Sequence, residues 1–289
     1  MKPDIKTLIN FTMLKKILPA FIIMSLPAFS LLDDRNSGRI DWSTGTVISY
    51  GVSEIDFKAG IPSDPDLGDG ISLTEARIQA YKKAREKASE NLVVLMKKIR
   101  VDSERMLYDL IEKNRIFRQR ISEVIGTKAV MRDYPAGFHR SGCSAELRLR
   151  DIILAIPVHF PMHEFPSRLD NPIQTAYTGL VIDARGMAVT PMLFPVIYNR
   201  DGLEVYGRDF IEAKSAEKGI VAYAFTEREA RGDIAGDRPY YAAAIKELNG
   251  CPVLSDRDIK KIFSHRETLN NLKKCRVIFI IDKKSAGEQ

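Results

Sequence analysis

The feature that most constrains the fold is a run of prolines near the middle of the chain. They stand at Pro157, Pro161, Pro166 and Pro172. Proline fixes φ and lacks a backbone N–H, so it is excluded from helix interiors and from central strands. The sequence therefore predicts a linker at residues 157–174, which separates an N-terminal domain (36–156) from a C-terminal domain (175–283). A short tail at residues 284–289 follows.

A long amphipathic helix is the clearest predicted element of the first domain. Ser72 is a typical N-cap residue, and Glu75 three positions later completes a capping box. Apolar and small residues then recur at helical spacing and define one buried face. These residues are Ala76, Ala80, Ala84, Ala88, Leu92, Leu95 and Ile99. Core packing against a sheet or a partner helix explains this face.

The other elements of the first domain give the order β-α-α-β-β. Gly126 is expected to end the second helix, because glycine is the usual residue just past a helix C-terminus. Helices packed on one face of a small antiparallel sheet satisfy this order, which is an α+β arrangement. The predicted elements are a strand at residues 39–52, the helix from Ser72, a helix at 103–125, and strands at 127–132 and 143–156.

The second domain is organised around a hairpin. The dipeptide Asp201-Gly202 separates two short apolar runs, and Asp-Gly suits a tight turn because both residues tolerate positive φ. Further short strands and helices predict a mixed β-sheet with short helices. The predicted strands lie at 180–184, 193–198, 203–206, 220–226, 239–245 and 276–282, with a turn at Asn249-Gly250 and helices at 209–218 and after Ser255.

Residues 1–30 have the composition of a secretory signal peptide. A pair of lysines precedes an apolar run at residues 17–32, which contains the small residues Ala28 and Ser30. Prolines interrupt this run, and it is short for a membrane span of about 20 residues. We therefore expect cleavage after Ser30, no transmembrane span in the mature chain, and a periplasmic location. The lipidated cysteine of bacterial lipoproteins is missing.

The charge of the chain does not indicate a nucleic-acid partner. The formal net charge is +6, but the first thirty residues contribute +3 from four lysines and one aspartate, which leaves +3 for the rest. Acidic and basic residues alternate along the predicted helices, as is usual for solvated faces. We expect no nucleic-acid binding.

The cysteines and histidines do not form a metal or cofactor motif. Cys143 lies on a predicted strand, whereas Cys251 and Cys275 flank a predicted helix, so a disulfide between these two stays open. His159 and His163, with Glu164, lie on the proline-rich segment and share no fixed face. We expect no metal and no cofactor.

Three segments of the second half resemble a known group of bacterial envelope proteins. They are YTGLVIDARG at residues 177–186, PVLSDRD at 252–258 and VIFIID at 277–282. The resemblance is to the C-terminal region of proteins whose N-terminal domain is similar to the flagellar outer-membrane protein FlgP and to small Helicobacter surface lipoproteins. It implies a non-enzymatic envelope part or assembly factor, often of rings or disks around the flagellar motor.

No catalytic motif accompanies this resemblance, so we expect a non-catalytic, exported structural or assembly component of the flagellum or outer membrane. Its partners would be envelope or flagellar basal-body proteins and further copies of itself. The candidate interface residues are Asp183, Arg185 and Gly186, at a predicted strand end. An exported binder of a small ligand or of peptidoglycan, or a hydrolase, is the alternative, with Asp256 and Asp258 supplying carboxylates.

Overall fold

Helices and several small sheets make up the computed structural model, which describes residues 37–64, 66, 68–166 and 175–286. The predicted α+β class is confirmed: a helix-covered antiparallel sheet forms the N-terminal half, and sheets with short helices form the C-terminal half. The signal peptide predicted for residues 1–30 lies outside the described residues. None of the helices in the described part of the chain is both long and apolar enough to cross a membrane.

The N-terminal half is built on a four-stranded antiparallel sheet in the order β1-β2-β6-β5, with the long helix α1 packed across β2 and β6. Its elements are β1 (Gly38–Asp41), β2 (Thr46–Glu54), β3 (Phe57–Lys58), β4 (Ile61–Pro62), α1 (Leu73–Lys97), α2 (Leu107–Lys113), α3 (Arg115–Lys128), β5 (Val130–Pro135), β6 (Arg140–Arg148) and α4 (Leu149–Ala155).

Helix α1 forms as the sequence predicts, and its small residues let it lie very close to the sheet. The Ser72 side chain accepts a hydrogen bond from the Glu75 backbone N–H at 3.1 Å. Ala84 and Ala88 are fully buried. Opposite them, a Cβ added to Gly51 of β2 would lie only 2.1 Å from the carbonyl oxygen of Ala84. Helix and strand therefore meet backbone to backbone.

Two predicted elements of this half are each broken in two. The strand predicted at 39–52 is the hairpin of β1 and β2, because Gly45 has a positive φ of 67° and turns the chain. The helix predicted at 103–125 divides into α2 and α3 at Asn114, which is extended and whose side chain accepts from the Phe117 N–H at 3.1 Å. Gly126 does not end α3, which continues to Lys128.

The strand predicted at 143–156 is also wrong in its second part. Strand β6 ends at Arg148, and the following apolar run is the helix α4. Its buried residues Leu149, Ile152 and Ile153, with Ile156 directly after it, are spaced three and four apart, so they cover one helical face. The prediction failed because a short apolar run suits a buried strand as well as a buried helix.

The described part of the proline-rich segment contains no helix or strand, and although most of its residues are exposed, it is anchored to the rest of the protein. Phe165 is buried, and its ring stacks on that of Phe210 at 5.3 Å. The backbone N–H of His163 donates to the carbonyl of Asp209 at 2.7 Å. Within the described ranges, no three His, Cys, Asp or Glu side chains are grouped so that they could hold a metal ion.

The C-terminal half contains two four-stranded sheets. The first, in the order β10-β14-β7-β11, is parallel throughout, and the second, in the order β12-β13-β8-β9, is mixed. The elements are β7 (Leu180–Asp183), β8 (Ile197–Tyr198), β9 (Glu204–Tyr206), α5 (Ala213–Ala216), β10 (Ala222–Ala224), α6 (Glu227–Ala230), β11 (Tyr240–Ala243), β12 (Lys246–Leu248), β13 (Cys251–Val253), α7 (Asp256–Ile262), α8 (Arg266–Lys273) and β14 (Val277–Ile280).

The predicted turns of this half form. At Asp201-Gly202, between β8 and β9, only Gly202 has the positive φ, 82°, that was expected of both residues. Asn249 and Gly250 join β12 to β13 with positive φ at both positions. The helix predicted at 209–218 is instead a 3-10 turn (Arg208–Phe210) followed by the short α5. Residues 283–286 form another 3-10 turn, although the tail was predicted from residue 284.

One hydrophobic core runs through both halves. Leu193 and Phe194 donate their backbone N–H groups to the carbonyls of Arg100 and Val101 at 3.0 and 2.8 Å. The largest buried cluster contains side chains from α1, β6 and the parallel sheet. From Ser37 onward the chain therefore forms one compact unit, within which the two halves are layers.

Candidate functional site

The carboxyl edge of the parallel sheet collects several charged residues. Because all four strands run in the same direction, their C-terminal ends meet at one edge, which is where ligands usually bind in open parallel sheets. Asp183 ends β7, Asp282 follows β14, and Glu227 begins the helix after β10. This edge also carries Arg185 and Gly186, the residues predicted as an interface.

Arg185 is the centre of this group, which we call the edge cluster: Asp183, Arg185, Glu227 and Asp282. The guanidinium of Arg185 donates to both carboxylate oxygens of Asp183, at 2.9 and 2.5 Å, and to Glu227 at 3.0 Å. These bonds lower the pKa of Asp183 below its usual value and raise the pKa of Arg185. Asp183 and Arg185 therefore bind each other.

Gly186 links the edge cluster to the last strand. Its backbone N–H donates to Oδ2 of Asp282 at 2.7 Å, and the Arg185 N–H donates to Asp183 at 3.1 Å. Gly186 has a φ of 77°, which allows the tight turn after β7. The predicted interface residues are thus brought together, and their polar groups hold this turn.

The carboxylates of Asp256 and Asp258 do not join the edge cluster through any hydrogen bond or ion pair in the described residues. Ser255 caps α7 by accepting the backbone N–H of Asp258, and the Asp258 carboxylate accepts a 2.6 Å hydrogen bond from the hydroxyl of Tyr240, the first residue of β11. Burial, and then this hydrogen bond, raise the pKa of Tyr240. Asp256 is exposed.

The edge cluster has the chemistry of an ion-pair clamp. In the part of the chain that the structure describes, Asp183 and Glu227 have Arg185 as their side-chain partner, and neither contacts a serine, cysteine or histidine side chain. A carboxylate held by a guanidinium is a weak proton acceptor, because its pKa is lowered. Glu227 and Asp282 were missed at the sequence level, since only the sheet register brings them here.

The three cysteines are free, buried thiols, so Cys251 and Cys275 are not paired in the structure. Cys251 packs with Met192 and Tyr198, whereas Cys275 belongs to the main core. Burial raises the pKa of Cys143 and of Cys251 to about 11, and that of Cys275 to about 12. Such thiols are poor nucleophiles near neutral pH.

A second surface, missed at the sequence level, lies at one end of the N-terminal sheet. We call it the aromatic tip: Phe57, Phe138 and His139. The ring of His139 lies 4.8 Å from that of Phe57 and 4.6 Å from that of Phe138, both edge to face. Phe57 is 41% exposed and Phe138 76%. The one indication of this surface in the sequence is Phe138, which directly follows Gly137 in a turn.

The fold and these sites describe an α+β protein with a clamped parallel sheet and an exposed aromatic tip. Residues 179–283, which contain that sheet, match a bacterial protein family described as Treponema pallidum Tp0624, second domain. The match includes the TGLVIDARG segment, apart from its first residue, and all of β14. No curated protein matches the chain.

Proposed function

We propose that the protein is a non-catalytic component of the bacterial cell envelope that acts by binding other proteins. The observation that carries this proposal is the aromatic tip, where the large side chains of Phe57 and Phe138 are exposed and both contact the His139 ring. Contiguous exposed apolar patches mark interaction sites, and aromatic residues are enriched in protein interfaces. Basic side chains flank the tip at Lys58 and Arg140.

Two further observations support this assignment. The signal-like N-terminal composition supports export to the periplasm. The match of residues 179–283 to a bacterial protein family supports a bacterial protein. From the sequence resemblance of residues 177–186 to FlgP-associated envelope proteins, we further propose a place at the outer membrane or the flagellar base, as a structural or assembly component with homo-oligomeric contacts.

The edge cluster supports a binding role over catalysis. Arg185 holds the carboxylates of Asp183 and Glu227, and the buried thiols have raised pKa values. A catalytic base needs a free lone pair within reach of the proton that it removes. The arrangement around Arg185 instead stabilises the turn after β7.

The test is in-cell cross-linking of the full-length protein, followed by identification of what co-purifies, with a swimming assay of the same strains. A Phe57→Ala/Phe138→Ala variant should lose its cross-linked protein partners. The matched control is Ile78→Ala/Ile116→Ala, which removes two exposed apolar side chains from α1 and α3. The control should keep the partners.

If the two variants captured the same protein partners in equal amounts, the aromatic tip would not be the interface. Capture of basal-body or outer-membrane proteins together with lost swimming would support the flagellar placement, and normal swimming would exclude it. Binding of the wild-type protein to phospholipid vesicles, with no protein captured, would show that the tip contacts a membrane instead. Circular dichroism of each purified variant verifies that it is folded.

A further inference from the structure

A cleft of about 360 Å³ opens between the two layers of the protein. The turn between β1 and β2 and the start of α4 form one wall, and the segments around residues 192–193 and 218–223 form the other. A volume of this size is within the range of sites that enclose small organic ligands, roughly 300–1,000 Å³. Neither the edge cluster nor the aromatic tip contributes a residue to it.

The floor of the cleft is apolar and well supported. Trp42 and Tyr223 contact edge to face, with ring centroids 5.5 Å apart. The hydroxyl of Tyr223 accepts from the Met192 N–H at 3.0 Å and donates to the Met192 carbonyl at 2.9 Å. These bonds fix the aromatic pair in place. At the rim, Ile234 is 49% exposed and extends the apolar surface outward.

The rim of the cleft is basic. Arg148, Arg150 and Lys218 line it, and no carboxylate does. Arg150 lies 3.9 Å from Glu217, at the limit of an ion pair. In the described part of the chain, neither Arg148 nor Lys218 has a carboxylate within 4 Å. The nearby carboxylate of Asp41 accepts hydrogen bonds from its own turn instead.

We propose that this cleft binds a small organic anion with an apolar body. Transfer of the apolar body onto the aromatic floor is favourable because it removes apolar surface from water. The charged head stays at the rim, where cations without partners attract it. Inorganic phosphate lacks the apolar part, and an uncharged hydrocarbon lacks the part that the basic rim recognises. This site is independent of the aromatic tip, so either proposal can fail alone.

Trp42 makes the proposal directly testable. It is the only tryptophan of the chain and it lines the cleft. Trp42 fluorescence, excited at a wavelength at which tyrosine does not absorb, therefore reports whether a ligand occupies the cleft. Energy transfer from Trp42 to anilinonaphthalene sulfonate should saturate, and monomeric dodecanoate should displace this probe. Uncharged phenylnaphthylamine should bind at least tenfold more weakly, and inorganic phosphate alone should leave the emission unchanged.

Charge-reversal variants locate the site. Arg148→Glu/Lys218→Glu should weaken sulfonate binding by about tenfold or more, since a hydrogen bond to a charged group contributes roughly that factor. The binding of phenylnaphthylamine should not change. The matched control, Lys82→Glu, reverses an exposed charge on α1 that does not line the cleft. It should leave both affinities as in the wild type.

Three results would overturn the proposal. The first is equal binding of the charged and uncharged probes, because the rim would then have no role. The second is sulfonate binding that is insensitive to Arg148→Glu/Lys218→Glu. The third is a Trp42 response to phosphatidylglycerol vesicles but not to monomeric dodecanoate, which would assign the basic rim to a membrane surface. The comparison of probes uses only wild-type protein, so it holds even if the variant folds poorly.

Discussion

Replacing Gly51 by alanine tests the closest contact in the N-terminal layer. In a strand this substitution would ordinarily stabilise the protein by about 0.5–1 kcal/mol, because alanine loses less backbone entropy on folding than glycine does. Here the new Cβ would lie 2.1 Å from the Ala84 carbonyl oxygen and 2.4 Å from the Ala88 nitrogen. Both atoms belong to the backbone of α1, so no side-chain rotation can relieve the clash.

The cost follows from how far α1 must move. To reach an ordinary contact of 3.4 Å, the helix would have to retreat by about 1 Å. That shift would loosen the buried 2.7 Å hydrogen bond from the Ser49 hydroxyl to the Ala88 carbonyl. Overpacking of this kind costs about 1–3 kcal/mol, and a weakened buried hydrogen bond adds to it. We expect a loss of about 3 kcal/mol in the free energy of unfolding.

Urea denaturation followed by circular dichroism measures this loss. Gly126→Ala is the matched control, because a Cβ at that helical position meets nothing within 4 Å. It should stabilise the protein by up to about 1 kcal/mol, as alanine does in a helix. If Gly51→Ala proved neutral or stabilising, the backbone contact between α1 and β2 described above would be refuted.

Three further outcomes follow from the same structure. Ser72→Ala removes the N-cap hydrogen bond of α1 and should lower the unfolding free energy by about 1 kcal/mol, read from the urea midpoint. Asp183→Asn should cost less than about 1 kcal/mol at neutral pH, because its ion pair with Arg185 is partly exposed. The ion pair lowers the folded-state pKa of Asp183. Its contribution to the free energy of unfolding is therefore fully present above the unfolded-state pKa and disappears as the pH falls through the folded-state pKa. Below that folded-state pKa the wild type and Asp183→Asn should have equal unfolding free energies, and a difference that persists there would show that the ion pair is not its origin. The buried thiols should react with a disulfide reagent only after denaturation, because at pH 8 a thiol with a pKa of about 11 is ionised about one time in a thousand; fast labelling of the native protein would contradict their burial.

Features encoded by neighbouring residues were predictable from the sequence. The cap and small face of α1 and the turns at Asp201-Gly202 and Asn249-Gly250 depend on local chemistry, and the structure has them. Asp183, Arg185 and Gly186 are also close in sequence, so one turn is enough to bring them together. In each case the determining contacts lie within a few residues.

Features that depend on distant pairing were not predictable. The apolar run after Arg148 fits a strand or a helix, and only its packing decides for α4. Glu227 reaches Arg185, and Asp282 reaches the Gly186 backbone N–H, through the register of parallel strands, which leaves no local signal. Burial of Phe165 likewise depends on Phe210, which is far along the chain. The cleft beside Trp42 exists only because two layers meet.

The position of β14 has a consequence for how the protein is made. This strand pairs with β7 on one side and with β10 on the other, although both precede it along the chain by a long interval. A ribosome synthesises β7 and β10 before β14. These two strands are separated in the sheet by β14, so neither can form its hydrogen bonds to β14 until β14 has been made. During synthesis the N-terminal layer can assemble early, but the parallel sheet has to wait for residues 277–280. We therefore expect nascent chains that end before Val277 to be readily cleaved by proteases across the C-terminal half, with protection gained in a single step once β14 has emerged.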